Sequence, residues 1–303
     1  MKRIGFIGTG IMGQPMATNL LRKGFQVVAM AHRNRKPIEE LMALGAEEAK
    51  SPKEVAERTD MCGLCLPTSR EVEEVILGPK GLAESMKRGY VIADMGTSYP
   101  PDTRRLAPRV VERGGEWLDA PISGGPRGAA AGTLCIMVGG EASTLERCRD
   151  VLAAMGTNIF HFGPAGNGHM AKHIQNMIGI VHLTAIAEAL TLAVKSGLNP
   201  EMVYQAVSVS ASNSPGFQFM APKVMKRDFE TIAFRLDFAY KDLRQATAAA
   251  REAAIPLPVS NAAMELYQIA RARGYGHLDE TAVIRGLEEI LGIEVRGDPK
   301  PPQ

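Results

Sequence analysis

Apolar residues along the chain change their spacing near residue 163. Before it they fall in short runs separated by amphipathic stretches; after it they recur only at helical intervals. The runs at 2–8, 25–31, 61–66, 90–94, 116–119, 133–138 and 158–162 read as strands. Helix signals lie between several of them. Gly24 stops the first helix, and Ser51-Pro52-Lys53-Glu54 is a capping box whose proline occupies a position where no N–H is needed. Pro100 and Pro101 open another helix, and one runs over about 142–154. Such alternation predicts an α/β half with a doubly wound parallel sheet, and places any site at the carboxyl ends of the strands.

The second half reads as all helix. Asn199-Pro200 opens one, and 237–254, 258–273 and 279–291 form three more. Joining the halves, 168–197 reads as a single helix of roughly 45 Å at 1.5 Å per residue. Its only charged side chains are Lys172, Glu188 and Lys195, and apolar residues occupy every face, as in a helix buried on all sides.

Chemistry enters first at Gly8-Thr9-Gly10-Ile11-Met12-Gly13, a G-x-G-x-x-G between a strand and a helix. Gly8 makes the turn, Gly10 admits a pyrophosphate close to the backbone, and Gly13 lets the helix pack closely, with phosphates on its N-terminus. The first half is therefore expected to be a Rossmann-like dinucleotide-binding domain over 1–163. The strand at 25–31 should end where the adenosine ribose is read. A carboxylate there would accept from a 2′-hydroxyl; this chain instead has His32-Arg33-Asn34-Arg35-Lys36, and a guanidinium pairs with a 2′-phosphate. These residues read for NADP over NAD, against the alternative of a solvated basic loop.

Two further stretches carry polar groups where a small anion could sit. Asp119-Ala120-Pro121-Ile122-Ser123-Gly124-Gly125 leaves a strand and enters a glycine loop, so that a hydroxyl stands beside two unencumbered backbone N–H groups, a cradle for a carboxylate or phosphate. Lys172 and Asn176 are i and i+4 near the start of the long apolar helix and so share a face. A lysine in so apolar a helix suggests a catalytic end. The residues alone leave open a lysine that reaches to solvent.

Composition narrows the classes. With 303 residues, 45% hydrophobic and 22% charged, the chain can bury a large core in two domains, and a net charge of +2 without a like-charged block argues against nucleic acid as a partner. No apolar run reads as a bilayer span and no signal-peptide pattern precedes the first glycines, so the expectation is a cytoplasmic protein without a membrane role. Cys62 and Cys65 form a C-x-x-C without a second ligand pair, inside a buried-strand pattern; they read as small hydrophobes, and no metal site is expected.

These motifs, in order, resemble the β-hydroxyacid dehydrogenase family, which includes 3-hydroxyisobutyrate dehydrogenase, tartronate semialdehyde reductase and glyoxylate/succinic semialdehyde reductases. The likeness covers essentially the whole chain: the segment from Gly8 to Leu20 matches the cofactor signature, Asp119 to Gly125 the substrate loop, Gly166 to Asn176 the catalytic motif, and Lys241-Asp242-Leu243 a late motif. It implies Lys172 as proton donor with Asn176 as its partner, Ser123, Gly124 and Gly125 as carboxylate binders, and Gly8, Gly10, Ile11, Met12, Gly13, Arg33, Asn34, Lys36, Leu66, Pro67, Thr97 and Lys241 as cofactor contacts. Reversible reduction of a small semialdehyde or keto acid by NADPH is the implied activity. A 6-phosphogluconate dehydrogenase-like enzyme and a reader module without chemistry are the alternatives. The pattern gives an all-helical domain over 164–295 and a disordered proline-rich tail at 296–303, and the resemblance implies a homodimer or homotetramer assembled through the helical domain. Gln175 and Gly96 depart from the family pattern, where asparagine and serine are usual.

Overall fold

The computed structural model describes residues 1–297, so all but Arg296 and Gly297 of the expected tail lies outside the described residues. The chain divides into two compact units, Met1–Lys172 and His173–Gln303.

In the first unit, β1 (Arg3–Ile7), α1 (Gly13–Arg22), β2 (Gln26–Met30), α2 (Lys36–Ala43), β3 (Glu47–Ala49), α3 (Pro52–Arg58), β4 (Met61–Leu64), α4 (Ser69–Leu77), β5 (Val91–Asp94), α5 (Pro100–Val111) and β6 (Glu116–Asp119) alternate as expected. They are followed by β7 (Ile122–Ser123), α6 (Gly125–Ala131), β8 (Leu134–Gly140), α7 (Ala142–Ala153) and β9 (Gly156–His161). The order β3-β2-β1-β4-β5-β6 is parallel throughout and reverses direction between β1 and β4, the switch point at which such sheets bind ligands. Beyond β6 the sheet departs from the all-parallel expectation. β8 runs antiparallel to β6 and to β7, and β9 lies parallel to β8. The short β3 and β7 were not legible as strands, because two or three residues carry no period.

Period-two alternation explains the layering. Ile4, Phe6, Val27 and Ala29 face α1, α2 and α7, whereas Ile7, Val28, Leu64 and Ile92 face α3, α4 and α5, so both faces of the sheet are covered. Each fully buried aliphatic side chain of this kind contributes about 1.5–3 kcal/mol. Close approach of α1 to β1 rests on Gly13, since a Cβ there would lie 1.9 Å from the Gly8 carbonyl oxygen.

The long helix is α8 (Asn167–Lys195), and α9 (Pro200–Ser208), α10 (Pro215–Met225), α11 (Leu236–Glu252), α12 (Pro258–Ala272) and α13 (Ile284–Leu291) follow it. Residues 280–283, expected to begin the last helix, form a 3₁₀ turn instead, capped by the Asp279 carboxylate on the Thr281 N–H. α10 escaped notice because Gly216 and Pro222 break its pattern, although Ser214 caps it by accepting from the Phe217 N–H. Leu183, Ala187 and Leu190 of α8 are buried with Phe217, Leu236, Leu243 and Tyr267.

One sequence expectation needs correcting here. α8 is long and apolar enough to cross a membrane, with a mean hydropathy of 1.9 over an 18-residue window. Its buried side forms the core of the second unit, and a core helix meets the same measure.

Candidate active site

The glycine turn leaves β1 at its carboxyl end. Gly8 has φ +97°, and a Cβ on it would sit 2.2 Å from the Cys65 carbonyl oxygen, so only glycine makes this turn. Gly10 differs: a Cβ there would meet nothing within 4 Å, leaving the space a pyrophosphate needs. Among the described residues no side chain caps α1, and its first turn carries no acidic residue, so its amides and positive dipole end suit an anion. These residues therefore fit a dinucleotide. Register pairing of Ile7 with Met30 and with Leu64, and of Leu64 with Asp94, brings the segments beyond these strand ends to one edge of the sheet: Gly8, the 32–36 loop, Leu66-Pro67 and Thr97.

Within the basic loop the cations separate. Arg35 makes a two-pronged pair with Glu48 at 3.0 Å, which holds its guanidinium pKa above the usual value. Lys36 lies 3.8 Å from Glu40, and its backbone N–H donates to the Asn34 Oδ1 at 3.1 Å. Arg33 is exposed and, among the described residues, makes no hydrogen bond or ion pair.

Desolvation pushes the Cys62 thiol well above its ordinary value, and the Cys65 thiol to about 12.

The serine loop sits on the opposite flank of the sheet. Ser123 ends β7 and pairs in register with Cys135 of β8. Gly124 and Gly125 have φ +133° and +62°, conformations that glycine alone adopts freely, and open space surrounds Gly125. Buried Asn19 of α1 donates its Nδ2 to the Ala129 carbonyl at 2.7 Å, tying α6 to α1.

Lys172, only 8% exposed, lies one turn into α8. Desolvation raises the Cys135 thiol pKa, and the Lys172 charge acts in the opposite direction. The start of α8 is seated on the first unit's sheet: the His169 N–H donates to the Asp119 Oδ2 at 3.0 Å, and Cys135 of β8 is the cross-strand neighbour of Ser123. Lys172 and the serine loop, 49 positions apart in the sequence, are both tied to the end of β6: Ser123 follows Asp119 by four residues, and Lys172 follows by three residues His169, whose N–H donates to the Asp119 carboxylate.

In the second unit Asn176 donates Nδ2 to the Asp242 Oδ2 at 2.7 Å, and the Lys241 Nζ lies 3.1 Å from the Asp242 Oδ1. Asp242, 1% exposed, thus holds both polar residues, a common partner that their spacing in the sequence does not reveal. A carboxylate accepts only from the amide N–H, so the Asn176 Oδ1 faces away from Asp242 as a hydrogen-bond acceptor.

Comparison with known proteins fits this geometry. Residues 3–163 match the family described as the NAD binding domain of 6-phosphogluconate dehydrogenase, and 166–287 match the NAD-binding region of NADP-dependent 3-hydroxyisobutyrate dehydrogenase. A 2-(hydroxymethyl)glutarate dehydrogenase from Eubacterium barkeri is 37% identical, covering 97% of this chain and 98% of its own. The chain belongs to the β-hydroxyacid dehydrogenase family. It is an NAD(P)-dependent oxidoreductase. A 2-hydroxy-3-oxopropionate reductase from Escherichia coli is 36% identical over 94% of this chain and 97% of its own. The crystal structure of a 3-hydroxyisobutyrate dehydrogenase from Salmonella typhimurium, 30% identical, superposes with a TM-score of 0.87 over 94% of this chain and 99% of that one. Relatives of this kind, matched nearly end to end, are enzymes, which favours chemistry over a reader module.

Proposed function

We propose that this β-hydroxyacid dehydrogenase reduces a small, carboxylate-bearing semialdehyde or keto acid with NADPH, reversibly, with Lys172 giving and taking the proton. The observation that carries the reading is that the nearly buried Lys172 lies in the first turns of α8, whose start is bonded to the Asp119 carboxylate four residues before Ser123. Two relatives add support: their names describe a hydroxymethyl or an aldehyde carbon attached to the carbon that bears a carboxylate.

Reduced nicotinamide supplies the hydride when bound. The chain's own residues do the rest. Gly8, Gly10 and Gly13 hold the pyrophosphate, aided by Ile11 and Met12 at the start of the helix, and Leu66, Pro67, Thr97 and Lys241 complete the cofactor contacts. Arg33 pairs with the 2′-phosphate. Ser123 and the Gly124 and Gly125 amides hold the substrate carboxylate, which sets the neighbouring carbonyl oxygen toward the Lys172 ammonium. That ammonium donates a proton as negative charge develops on the oxygen; in the reverse direction the neutral amine accepts the hydroxyl proton. The Asn176 amide oxygen steadies the ammonium or hydroxyl. NADPH oxidation against a panel of three- to five-carbon semialdehydes, beside NADP reduction with 6-phosphogluconate, tests the reading: turnover is expected in the first set and not in the second.

Ser123→Ala separates binding from chemistry. A carboxylate contact is made in ground and transition states alike, so KM for the acid should rise while kcat stays within about threefold. A fall in kcat at unchanged KM would remove Ser123 from carboxylate binding.

Assembly follows from α8. Ile174, Ile178 and Leu192 are 49%, 63% and 68% exposed, and their spacing puts them on one side of the helix. We infer that a second copy covers this face in a homodimer or homotetramer. Light scattering at micromolar concentration should give a mass of two or four chains; a stable monomer would contradict this.

A further inference from the structure

We propose that Asp119 is a positioning residue for proton transfer, fixing Lys172 relative to the Ser123 loop; this rests on the role given to Lys172 above. Asp119 is fully buried at the end of β6, and among the described residues no cation pairs with it. Its carboxylate is satisfied by N–H groups. The Oδ1 accepts from the Gly166 N–H at 2.8 Å and from the Trp117 Nε1 at 3.3 Å, and the Oδ2 accepts from the His169 N–H at 3.0 Å. Two of these three donors belong to the entry and first turn of α8, whose positive dipole end favours an anion.

Helix caps are usually supplied by a residue at the helix's own first position. Here the cap comes from a strand 47 residues earlier in the chain, so it bolts the helix to the sheet as well as satisfying it. The seat has no slack. A Cβ on Gly168 would lie 2.5 Å from the Met137 carbonyl oxygen and 2.6 Å from that of Asp119, and one on Gly139 would lie 2.6 Å from the Asp119 Oδ2. The His169 side chain adds a second hold, its Nδ1 lying 2.8 Å from the Thr103 Oγ1.

Consequences for the site follow from chain position. Lys172 comes three residues after His169, less than one turn on, and Ser123 comes four residues after Asp119. A single carboxylate thus joins the segment that carries the substrate cradle to the helix that carries the proton donor. Displacing the first turn of α8 by an ångström would displace the ammonium from the carbonyl oxygen by a similar amount, and errors of that size cost up to about a hundredfold in rate.

Asp119→Asn keeps the shape but offers one acceptor and turns an NH₂ group against one of the two α8 amides. The variant is expected to lose about 10- to 100-fold in kcat, with NADPH affinity by calorimetry essentially unchanged. A double-mutant cycle gives the readout that a merely structural role would not move. In a Lys172→Ala background, Asp119→Asn should cost almost nothing further, because its effect runs through Lys172. Trp117→Phe, which removes only the third donor, should lower thermal stability more than kcat. If Asp119→Asn does not fold, Gly168→Ala lifts the same turn with the carboxylate intact and should show the same loss and the same non-additivity. A folded Asp119→Asn or Gly168→Ala enzyme with wild-type kcat, or losses that multiply in the double variant, would overturn the proposal. A Lys172→Ala enzyme with undiminished kcat would instead bring down the underlying assignment, and this one with it.

Discussion

Lys172→Ala should lower kcat by about 10²- to 10⁴-fold, the range for loss of a general acid, while leaving NADPH affinity almost unchanged. The side chain is 8% exposed and one turn into a helix whose start is bonded to the sheet. Its removal takes away the proposed proton donor together with the packing of its buried stem. The glycine turn proposed to hold the dinucleotide follows β1 and is shaped by the close approach of Gly8 to the Cys65 carbonyl oxygen and of Gly13 to the Gly8 carbonyl oxygen. If Lys172 were only a solvent-seeking lysine at a helix start, its loss would leave kcat within a few-fold and would change melting temperature as much as activity. Melting temperature, NADPH affinity and kcat on one sample of Lys172→Ala separate these outcomes.

Arg33→Asp should reduce the preference for NADPH over NADH by about ten- to a hundredfold, since a lost charge-assisted pair costs ~1.5–3 kcal/mol and the new carboxylate repels a 2′-phosphate. The neighbours are poorly placed to replace it. Arg35 is held by Glu48 at 3.0 Å on both prongs and by Glu39 at 3.7 Å, and Lys36 is drawn toward Glu40. Arg35→Ala should therefore change the preference by less than about fivefold, in keeping with an exposed structural pair. The ratio of kcat/KM for the two cofactors in wild type, Arg33→Asp and Arg35→Ala checks this. Equal use of NADH and NADPH by the wild type would refute the reading of residues 32–36.

The first unit was legible wherever a residue type answers a local demand. Gly8, Gly10 and Gly13 announce their roles because a turn, an open approach and a close helix contact each exclude a side chain. Strand direction is not local. Nothing in 134–140 says that this run pairs antiparallel with Glu116–Asp119, since the pairing is fixed by how the intervening chain folds back through β7 and α6. The basic loop shows the same boundary: Arg33, Arg35 and Lys36 look alike in sequence, and their pairing separates them, Arg35 with Glu48 and Lys36 with Glu40. Buried carboxylates were the least legible. Asp119 and Asp242 read as ordinary polar residues of their motifs, and their work depends on donors far along the chain, the Gly166 and His169 amides for one and Asn176 for the other.

One side chain, Lys172, is proposed to be acid in one direction and base in the other. The most direct test is the pH dependence of kcat/KM measured in both directions on the same enzyme preparation. Reduction requires the Lys172 ammonium and oxidation requires the neutral amine, so the reductive rate should fall as pH rises, and the oxidative rate should fall as pH drops. Both limbs should be absent from the residual activity of Lys172→Ala. Limbs that fall on the same side in both directions, or that persist unchanged in the variant, would contradict it.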